Sequence, residues 1–407
     1  MRLLLISGAY PPTRAGEAEH AKLIAERLAA RGLEVRVITS ERRDGSSRDD
    51  TLVCARMRQW SWRELPRLLW LIWRYRPDVL LLMYIGWIYD DHPMITFLPS
   101  LAKLVRPGTR CVTQFENAIA SQPDLMAPSV RAVRKGLAML LGSQRIDRNY
   151  GTLLRDSDAI VVLSDHHRRS LVRILDVNNK VTLIPPPPLV PFAIASAPRR
   201  TESRRRLNLG ERDFVVAYFG YVYPRKGLET LGAALQRVIQ RRAGVKLVVI
   251  GGPLEGAEQY YAQIQQHYRD LGVSKAVVWT GYVEDALHLA AADIYAHPID
   301  IGVQLNNSSF AAAAASGVPV VATRGAQLEA PFIDGRNVLL VPPKEPAALA
   351  DAIEALIDDP ALRQQLATGA LALATEWFSR DTATDRLLAV IANGARGCSS
   401  PTGGRTG

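Results

Sequence analysis

Short apolar runs rich in Val, Leu and Ile alternate along the chain with longer segments of helical periodicity. Apolar runs of this length are typical of buried strands, and their alternation with helices is the signature of βαβ units. The predicted strands lie at 2–7, 35–39, 79–83, 110–113, 159–163, 181–184, 214–219, 246–250, 277–280, 294–297, 318–322 and 338–341. We therefore predict an α/β chain built on parallel, doubly wound sheets.

The clearest break in composition follows residue 184, where PPPPLVPF leads into an arginine-rich stretch that ends at Gly210. The chain has 407 residues, enough for two domains of roughly 150 to 200 residues. We predict an N-terminal domain at 1–190, a linker at 191–210, a second domain at 211–378, a terminal helix at 379–395 that packs back towards the N-terminal domain, and a disordered tail at 396–407. Two doubly wound domains imply a ligand-binding cleft between them.

Compartment is indicated by the N-terminus and the cysteines. The first apolar run, at 3–6, is shorter than the roughly 7 to 15 apolar residues of a signal peptide, and no stretch reaches about 18 uninterrupted apolar residues. Cys54, Cys111 and Cys398 are scattered and form no CxxC pair, which argues against a disulfide framework or a zinc site. These features predict a cytoplasmic protein.

The chain is basic, with a formal net charge of +10 and a pI near 9.6. A positive balance favours anionic partners, which include nucleotide phosphates, an anionic membrane surface and nucleic acid. The basic residues are dispersed and no nucleic-acid module is recognisable, so we expect no nucleic-acid partner.

Two segments fit a membrane surface as well as a domain interior. Residues 129–150 read either as a basic amphipathic helix on an anionic bilayer or as a domain helix with a solvated basic face. In WSWRELPRLLWLIWRYRPDV, Trp60, Trp62, Trp70 and Trp73 are either core residues or an interfacial belt, and we expect most of them in the core. Peripheral attachment to the inner face of the membrane therefore stays open beside a purely cytoplasmic location.

The stretch 289–342 predicts an anion-binding site. It reads as a buried strand at 294–297, a polar loop at 300–309, a helix of small residues at 310–316 and a second buried strand at 319–322. Where a polar loop opens a helix, the first helical N–H groups are unpaired and the helix dipole favours negative charge. Open parallel sheets bind nucleotides in this geometry.

Two further turns from strand to helix point to phosphate. The first strand leads into a loop with Gly8 and Gly16, which lacks the GxGxxG spacing of dinucleotide folds and is a weak signal by itself. In YFGYVYPRKGLETLGAAL, Gly220 follows a strand, and Arg225 and Lys226 precede the next helix. Two cations beside helical N–H groups suit a diphosphate, although an exposed basic turn would look the same.

The chain resembles the family-four retaining glycosyltransferases of the GT-B type, which have two Rossmann-like domains facing a central cleft. The resemblance rests on six segments in the same order: YPPTRAGEAEHAKLIAERLAARGLEVRVIT, DAIVVLSDHHRRSL, YFGYVYPRKGLETLGAAL, VVWTGYVEDALHLAAADIYAHP, SGVPVVAT and DGRNVLLVPPKEPAALADAI. It implies a nucleotide-sugar donor, and it makes the first domain the acceptor side.

The resemblance also implies roles for individual residues. Gly16 would lie against the donor phosphates, Lys226 would contact the diphosphate, and Val283 would lie near the base through its backbone. The loop with Asn306, Asn307 and Ser308 would face the transferred sugar and the phosphates.

This sequence departs from the family pattern at several positions. The two glutamates usual around the sugar loop are replaced by Gln304, which can still form hydrogen bonds, and by Ala312, which cannot hold a ribose diol. The Gly-Arg pair of the family is Gly220-Tyr221, so Arg225 would have to supply the second cation. The usual active-site histidine of the first domain is replaced by Phe115.

Two polar residues of the first domain remain as candidates. Glu116 could act as a local base or orient the acceptor hydroxyl, and a purely structural carboxylate is at least as good an interpretation. His92, in YDDHPMI, is a second candidate, although a lone histidine is more often structural.

We therefore predict a glycosyltransferase that moves a sugar from a nucleotide-diphosphate donor to a hydroxyl acceptor with retention, with no cofactor and no metal site. Glu116 and Lys226 are the candidate catalytic residues. A catalytically silent nucleotide-sugar-binding protein is the main alternative, and a nucleotide-sugar epimerase is a weaker one. The predicted donor-binding residues are Gly16, Gly220, Arg225, Lys226, Val283, Gln304, Asn306, Asn307 and Ser308.

Overall fold

Two α/β units make up the chain in a computed structural model that describes residues 1–41, 50–118, 147 and 149–393. Of the described residues, the first unit comprises 1–12, those between 20 and 184, and 384–393. The second comprises residues 13–19 and 185–383. The predicted basic helix at 129–150 falls largely outside the described residues, as does the predicted tail.

The first unit is built on a seven-stranded sheet in the order β3-β2-β1-β4-β5-β6-β7. Its strands are β1 (Arg2–Ile6), β2 (Glu34–Ser40), β3 (Val53–Met57), β4 (Val79–Tyr84), β5 (Arg110–Phe115), β6 (Ala159–Val162) and β7 (Val181–Leu183), all paired in parallel. β4, with the sequence VLLLMY, is buried at every position because helices cover both faces of a parallel sheet. The strand order reverses between β1 and β4.

Six described helices belong wholly or mostly to this unit. They are α1 (Gly16–Ala30), α2 (Leu65–Tyr75), α3 (Leu98–Val105), α4 (Leu153–Asp156), α5 (Asp165–Val172) and the C-terminal helix (Arg380–Ala392), which is α12 in chain order. α1 begins in residues that group with the second unit and continues into the first, and α12 likewise starts among residues of the second unit.

The second unit carries a six-stranded parallel sheet in the order β10-β9-β8-β11-β12-β13. Its strands are β8 (Phe214–Phe219), β9 (Val245–Ile250), β10 (Val277–Gly281), β11 (Ile294–His297), β12 (Val320–Thr323) and β13 (Leu339–Val341). Its other helices are α6 (Ala197–Arg206), α7 (Leu228–Arg241), α8 (Glu258–Asp270), α9 (Ser308–Ala315), α10 (Pro346–Asp358) and α11 (Pro360–Trp377). The strand order reverses between β8 and β11. The predicted α/β class with parallel sheets is confirmed.

The apolar periodicity of α7 explains how it attaches to the sheet. Leu228, Leu231, Leu235 and Val238 recur at helical spacing, and all four are buried. They join β8, β9 and β11 in one core of the second unit. The helix begins directly after the turn that carries Arg225 and Lys226, so its packing fixes where this turn lies.

The arginine-rich stretch predicted as part of a linker contains α6 and belongs to the second unit. The buried guanidinium of Arg204 donates to Asp293 Oδ2 at 2.8 Å, and Arg200 contacts the other carboxylate oxygen at 2.5 Å. Asp293 precedes β11, so two ion pairs fix the helix to the sheet. A polar, arginine-rich composition is also typical of linkers, and sequence alone does not show this pairing.

The prediction that most of the four tryptophans lie in the core is wrong. Trp60 is 2% exposed, whereas Trp62, Trp70 and Trp73 are 49%, 55% and 52% exposed. The buried residues of α2 are Leu68, Leu71 and Ile72, which share one face, and Trp70 and Trp73 lie on the opposite face. None of the described helices is long and apolar enough to cross a membrane.

Candidate active site

Two chain segments meet at the carboxyl edge of the second sheet. The turn after β8 runs from Gly220 to Gly227, and the loop after β11 leads to α9. A Cβ at Gly227, where φ is +74°, would lie 1.8 Å from the Pro298 carbonyl oxygen, and a Cβ at Gly220 would lie 3.5 Å from Ser309 Cβ. The missing side chain of Gly227 therefore permits close contact between the turn and the loop, whereas Gly220 is favoured by its φ of +129° rather than by crowding. The two segments flank the point where the strand order reverses, where open α/β sheets bind their ligands.

Arg225 and Lys226 lie together in this turn. Arg225 is exposed and has a left-handed backbone with φ of +74°, and Lys226 is half-buried with its Nζ 4.7 Å from the centre of the Tyr223 ring. Neither forms a salt bridge with any residue that the structure describes. Their positive charges are available to an anionic ligand. The Asp300 amide donates to the Arg225 carbonyl oxygen at 3.2 Å, which ties the turn to the loop after β11.

Asn307 organises the loop that precedes α9. Its Oδ1 accepts hydrogen bonds from the Gln304 amide at 2.8 Å and from His297 Nε2 at 3.1 Å. Its Nδ2 donates to Asn306 Oδ1 at 3.3 Å. The predicted loop residues Gln304, Asn306, Asn307 and Ser308 are thus brought together, with the first N–H groups of α9 beside them. The helix begins at Ser308, two residues before the predicted start.

A buried histidine that sequence reasoning did not select holds this loop in place. His297 is 1% exposed, and its Nδ1 lies 2.9 Å from the Tyr295 hydroxyl. Because Asn307 Oδ1 can only accept, His297 Nε2 carries the proton and Nδ1 accepts from Tyr295. Burial is the main cause that lowers the pKa of His297 to about 3; the hydrogen bond to Asn307 acts against this shift, and the positive charge of Lys226 adds to it. The imidazole therefore stays neutral.

Glu329 is a second residue of the loop that the sequence analysis missed. Its carboxylate is 3% exposed and its Oε2 accepts from the Leu305 amide at 2.6 Å. A bond from a backbone N–H to a buried carboxylate is among the stronger hydrogen bonds in proteins. The acid is 24 residues away in sequence, so no spacing rule identifies it.

Residues 13–19 add a polar cluster beside Gly220. The Tyr221 hydroxyl donates to Glu19 Oε1 at 2.7 Å, and its ring stacks on Tyr282 at 6.2 Å between centres. The guanidinium of Arg14 lies 4.8 Å from the Tyr282 ring centre. Burial raises the pKa of Glu19, and the bond from Tyr221 acts against this shift. Tyr221 replaces the arginine of the family pattern and binds a carboxylate instead.

Gly16 and Val283, two of the predicted donor-binding residues, both belong to the second unit. A Cβ at Gly16 would meet no atom within 4 Å, so packing does not require glycine there. Val283 directly follows Tyr282 in the segment after β10.

Glu116 lies in the first unit, at the carboxyl end of β5, and it is buried. Its Oε2 is 2.9 Å from His20 Nδ1, and its Oε1 accepts from Gln114 Nε2 at 2.7 Å. His20 and Gln114 are buried as well. Glu116 is one of the predicted catalytic residues, but its partner His20 could not be predicted because it is 96 residues away in the chain.

Phe115 and His92 have structural surroundings. Phe115 is fully buried in β5 and packs edge-on against Tyr84 and Tyr150. His92 Nδ1 accepts from the Met94 amide at 3.1 Å and caps a short 3₁₀ helix. Ala312 lies within α9 and is 1% exposed, so this position offers no side chain to a ribose.

Neither cysteines nor clustered ligands provide a metal site in the described part of the chain. No group of three or more His, Cys, Asp or Glu side chains there could hold a metal ion. Cys54 and Cys111 are free, and burial raises the pKa of the Cys111 thiol to about 12.

Two family models match the chain. The model described as "Glycosyl transferase 4-like domain" matches residues 15–187, and the one described as "Glycosyl transferases group 1" matches residues 213–359. Among curated relatives, the D-inositol 3-phosphate glycosyltransferase of Corynebacterium diphtheriae is 30% identical over 253 residues, 60% of this chain and 58% of the relative. The GDP-mannose-dependent alpha-(1-6)-phosphatidylinositol monomannoside mannosyltransferase of Mycobacterium tuberculosis is 32% identical over 206 residues, 49% of this chain and 51% of the relative.

Solved structures share the fold at low identity. HepE of Anabaena in complex with UDP and glucose has a TM-score of 0.72 at 18% identity, covering 96% of this chain and 99% of that one. Sucrose-phosphate synthase of Thermosynechococcus elongatus has a TM-score of 0.73 at 18% identity, covering 97% and 99%. The alignments span only about half to three fifths of the curated relatives, but the two family models together cover most of this chain. The predicted GT-B fold is confirmed, and the chain belongs to the group 1 glycosyltransferases.

Proposed function

We propose that the protein transfers a sugar from a nucleotide-diphosphate donor to a hydroxyl acceptor, with retention of configuration. The observation that carries this proposal is the turn with Arg225 and Lys226, which packs against the loop that opens α9. Two cations without ion-pair partners among the described residues, close to helical N–H groups, are suited to a diphosphate.

Each predicted donor residue has a role in this proposal. Lys226 and Arg225 neutralise the diphosphate, and the backbone N–H groups near Ser308 bind its oxygens. Gln304 and Asn306 face the sugar hydroxyls. Gly16 and Gly220 allow the phosphates to approach the backbone, and Val283 contacts the base through its main chain. His297 and Glu329 do not touch the donor and act as positioning residues, because they fix Asn307 and the Leu305 amide.

The chemistry proposed for the donor side is stabilisation of a leaving group. When the bond between the anomeric carbon and the phosphate oxygen breaks, negative charge develops on the diphosphate, and Lys226 is positioned to balance it. Attack on the same face from which the diphosphate leaves would give retention and requires positioning more than a protein nucleophile. Because two cations supply the charge balance, we propose turnover without a divalent metal. Turnover that persists in EDTA is the expected result, and a strong loss reversed by Mg²⁺ would contradict it.

A two-step experiment tests the function. Calorimetry with UDP, GDP and ADP sugars should first identify a donor, and the panel includes GDP-mannose because a relative is named for it. Transfer to hydroxyl acceptors follows, beginning with inositol phosphate and phosphatidylinositol mannoside, the acceptor types in the relatives' names. NMR of the anomeric proton should show the donor's configuration in the product. A product of inverted configuration would contradict retention.

One observation favours a second candidate, a silent protein that binds nucleotide sugars without transfer. The family's ribose contact is replaced by the buried Ala312, and the active-site histidine by the buried Phe115. Tight donor binding in the calorimeter, combined with no transfer and no hydrolysis across the acceptor panel, would support this candidate over the enzyme.

A further inference from the structure

We propose that His20, held by Glu116, takes the proton from the acceptor hydroxyl. This assignment rests on the transferase activity proposed above and names an acceptor-side residue for it. It transfers to His20 the base role first considered for Glu116.

The orientation of the His20 ring supports the assignment. Glu116 Oε2 lies 2.9 Å from His20 Nδ1, and its other oxygen accepts from Gln114 Nε2 at 2.7 Å. A carboxylate only accepts hydrogen bonds, so Nδ1 carries a proton and Nε2 of the neutral ring has a free lone pair. A base oriented by a hydrogen-bonded third group is a recurring arrangement in catalytic sites.

The second ring nitrogen is open to a substrate. His20 Nε2 makes no hydrogen bond to the residues that the structure describes, and it is not among the fully buried polar atoms that lack a partner there. Glu116 has both oxygens engaged and is 9% exposed, so it is poorly placed to receive a proton itself. In the proposed step Glu116 acts through His20, because its negative charge stabilises the ring once Nε2 has taken the proton.

The position of the pair in the first unit is that of a ligand site. Glu116 directly follows β5, and His20 lies in the first turns of α1, the helix that follows β1. Both therefore lie at the carboxyl edge of the sheet, near the reversal of strand order between β1 and β4.

The proposed step balances in atoms and electrons. The acceptor oxygen forms a bond to the anomeric carbon, and the bond from that carbon to the diphosphate oxygen breaks with its electron pair on the diphosphate. The hydroxyl proton passes to His20 Nε2. The resulting imidazolium is stabilised by Glu116 and later releases its proton to water.

Three variants test the assignment with two kinds of acceptor. His20→Ala removes the base. Glu116→Gln presents an amide N–H to Nδ1 while Gln114 still binds the other arm, which forces the proton onto Nε2 and abolishes its lone pair. His166→Ala, an exposed histidine of the same unit, is the matched control. Turnover is measured with the alcohol acceptor and with azide, which has no proton to lose, and thermal unfolding reports on folding.

With the alcohol, we expect kcat to fall about 100-fold or more in His20→Ala and Glu116→Gln, with the donor KM little changed. With azide, both variants should approach the wild-type rate and form the glycosyl azide. Equal losses with azide and alcohol in folded variants would overturn the base assignment and leave a structural pair. A His20→Ala protein that uses the alcohol acceptor at the wild-type rate would also overturn the base assignment. A wild-type protein that uses neither acceptor would overturn the transferase proposal itself.

A separate observation, the exposed tryptophans of the first unit, supports an interaction surface. We infer that the outer face of α2 docks on an anionic lipid bilayer. Trp70 and Trp73 are more than half exposed on this face, and Trp62 is exposed just before the helix. α3 packs beside α2 and carries Leu104, which is 76% exposed. Tryptophan is the residue type that prefers the membrane–water interface.

Charge identifies the bilayer as anionic. Between residues 58 and 76 the chain has five arginines, all exposed, and a single acidic residue, Glu64. The arginines are Arg58, Arg63, Arg67, Arg74 and Arg76. Arg67 and Arg74 lie beside the two tryptophans on α2, and arginine beside an apolar face is the pattern of helices that lie in an anionic membrane surface.

Vesicle binding tests this surface without any need for enzymatic activity. Wild-type protein should bind vesicles of phosphatidylcholine with phosphatidylglycerol, bind pure phosphatidylcholine at least about tenfold more weakly, and lose affinity as salt increases. The double variant Trp70→Ser/Trp73→Ser should lose at least about tenfold in affinity, and Arg67→Gln/Arg74→Gln should lose less. Ile333→Ser, an exposed apolar residue of the second unit, is the control.

Two results would overturn the inference. Binding that is absent, or that is unaffected by the tryptophan substitutions, would exclude this face as the lipid contact. A dimer that the same substitutions dissociate, in protein that does not bind vesicles, would show that a second copy covers the face instead.

Discussion

Each of the two sheets has a buried histidine at its carboxyl edge, and the two differ in their partners. His20 in the first unit faces the carboxylate of Glu116, whereas His297 in the second faces the phenol of Tyr295 and the amide of Asn307. The His20 ring is bound through one nitrogen only, whereas both nitrogens of the His297 ring are bound. The two edges therefore use a histidine differently, the first with one ring nitrogen open and the second with the ring holding a loop in place.

In the proposed function Lys226 balances the charge of the leaving diphosphate, and the neutral His297 takes no part in that balance. Lys226→Ala should reduce kcat by roughly 30- to 1,000-fold, about 2 to 4 kcal/mol, because one preorganised partner of the developing diphosphate charge is lost. Steady-state kinetics with a saturating donor measures the effect. Lys275→Ala, an exposed lysine of the same unit, should have no effect. Unchanged turnover in a folded Lys226→Ala protein would contradict the role of this lysine.

The neutral state of His297 has a consequence for stability at low pH. Burial lowers the pKa of His297, and that of His167 in the first unit, to about 3 each. The unfolded chain binds protons near pH 6.5 and the folded chain only near pH 3, so stability is lost as pH falls between these values. At pH 5 each histidine should lower the free energy of unfolding by about 2 kcal/mol, because each pH unit below 6.5 contributes about 1.4 kcal/mol.

Denaturant unfolding at pH 7.5, 6 and 5 measures this decline. His297→Phe should make the free energy of unfolding of the second unit less dependent on pH. The contribution of His167 should stay the same. A slope identical in wild type and variant would show that His297 is protonated in the folded protein, which would remove the contrast between the two edges.

Removing His297 should also loosen the loop that precedes α9. His297→Phe leaves Tyr295 and Asn307 without their shared partner, at a cost of about 1 to 3 kcal/mol in the free energy of unfolding at neutral pH. Donor affinity should fall because Asn307 no longer fixes Gln304. Calorimetry and thermal unfolding measure the two effects, with His166→Phe as the exposed control. Weaker donor binding without any stability loss would indicate direct contact between His297 and the donor.

The smallest effect is expected at Glu329. Glu329→Gln keeps an oxygen for the Leu305 amide but removes the charge, so the loss in stability should be about 1 kcal/mol or less. Glu345→Gln, at an exposed position of the same unit, is the control for thermal unfolding. A loss of several kcal/mol would show that the carboxylate binds more of the loop than the Leu305 amide.

The sequence predicts the sheets well because strands and helices are local patterns. The helix at Leu228–Arg241 and the strand at Ile294–His297 lie where their apolar spacing places them. The polar loop before α9 was also predicted, since its residue types are typical of such loops.

The partners within each site could not be predicted in the same way. His20 and Glu116 meet only because β1 and β5 end at one sheet edge, and Glu329 reaches Leu305 across 24 residues. Exposure of Trp70 and Trp73 depends on which face of α2 packs on the sheet, and the tryptophans make both faces apolar. Arg204 lies in the predicted linker, and its burial could not be predicted because its partner Asp293 is 89 residues away in the chain.

Gly227 sets a limit on how this protein can be redesigned. Its missing side chain lets the cationic turn rest on the Pro298 carbonyl, and even alanine would push the two segments apart. Libraries aimed at a new donor should therefore keep the backbone of both segments constant and diversify Gln304 and Asn306. Donor selectivity could then change through side chains alone, while the backbone of both segments is kept. A methyl group at Gly227 would disrupt that backbone arrangement.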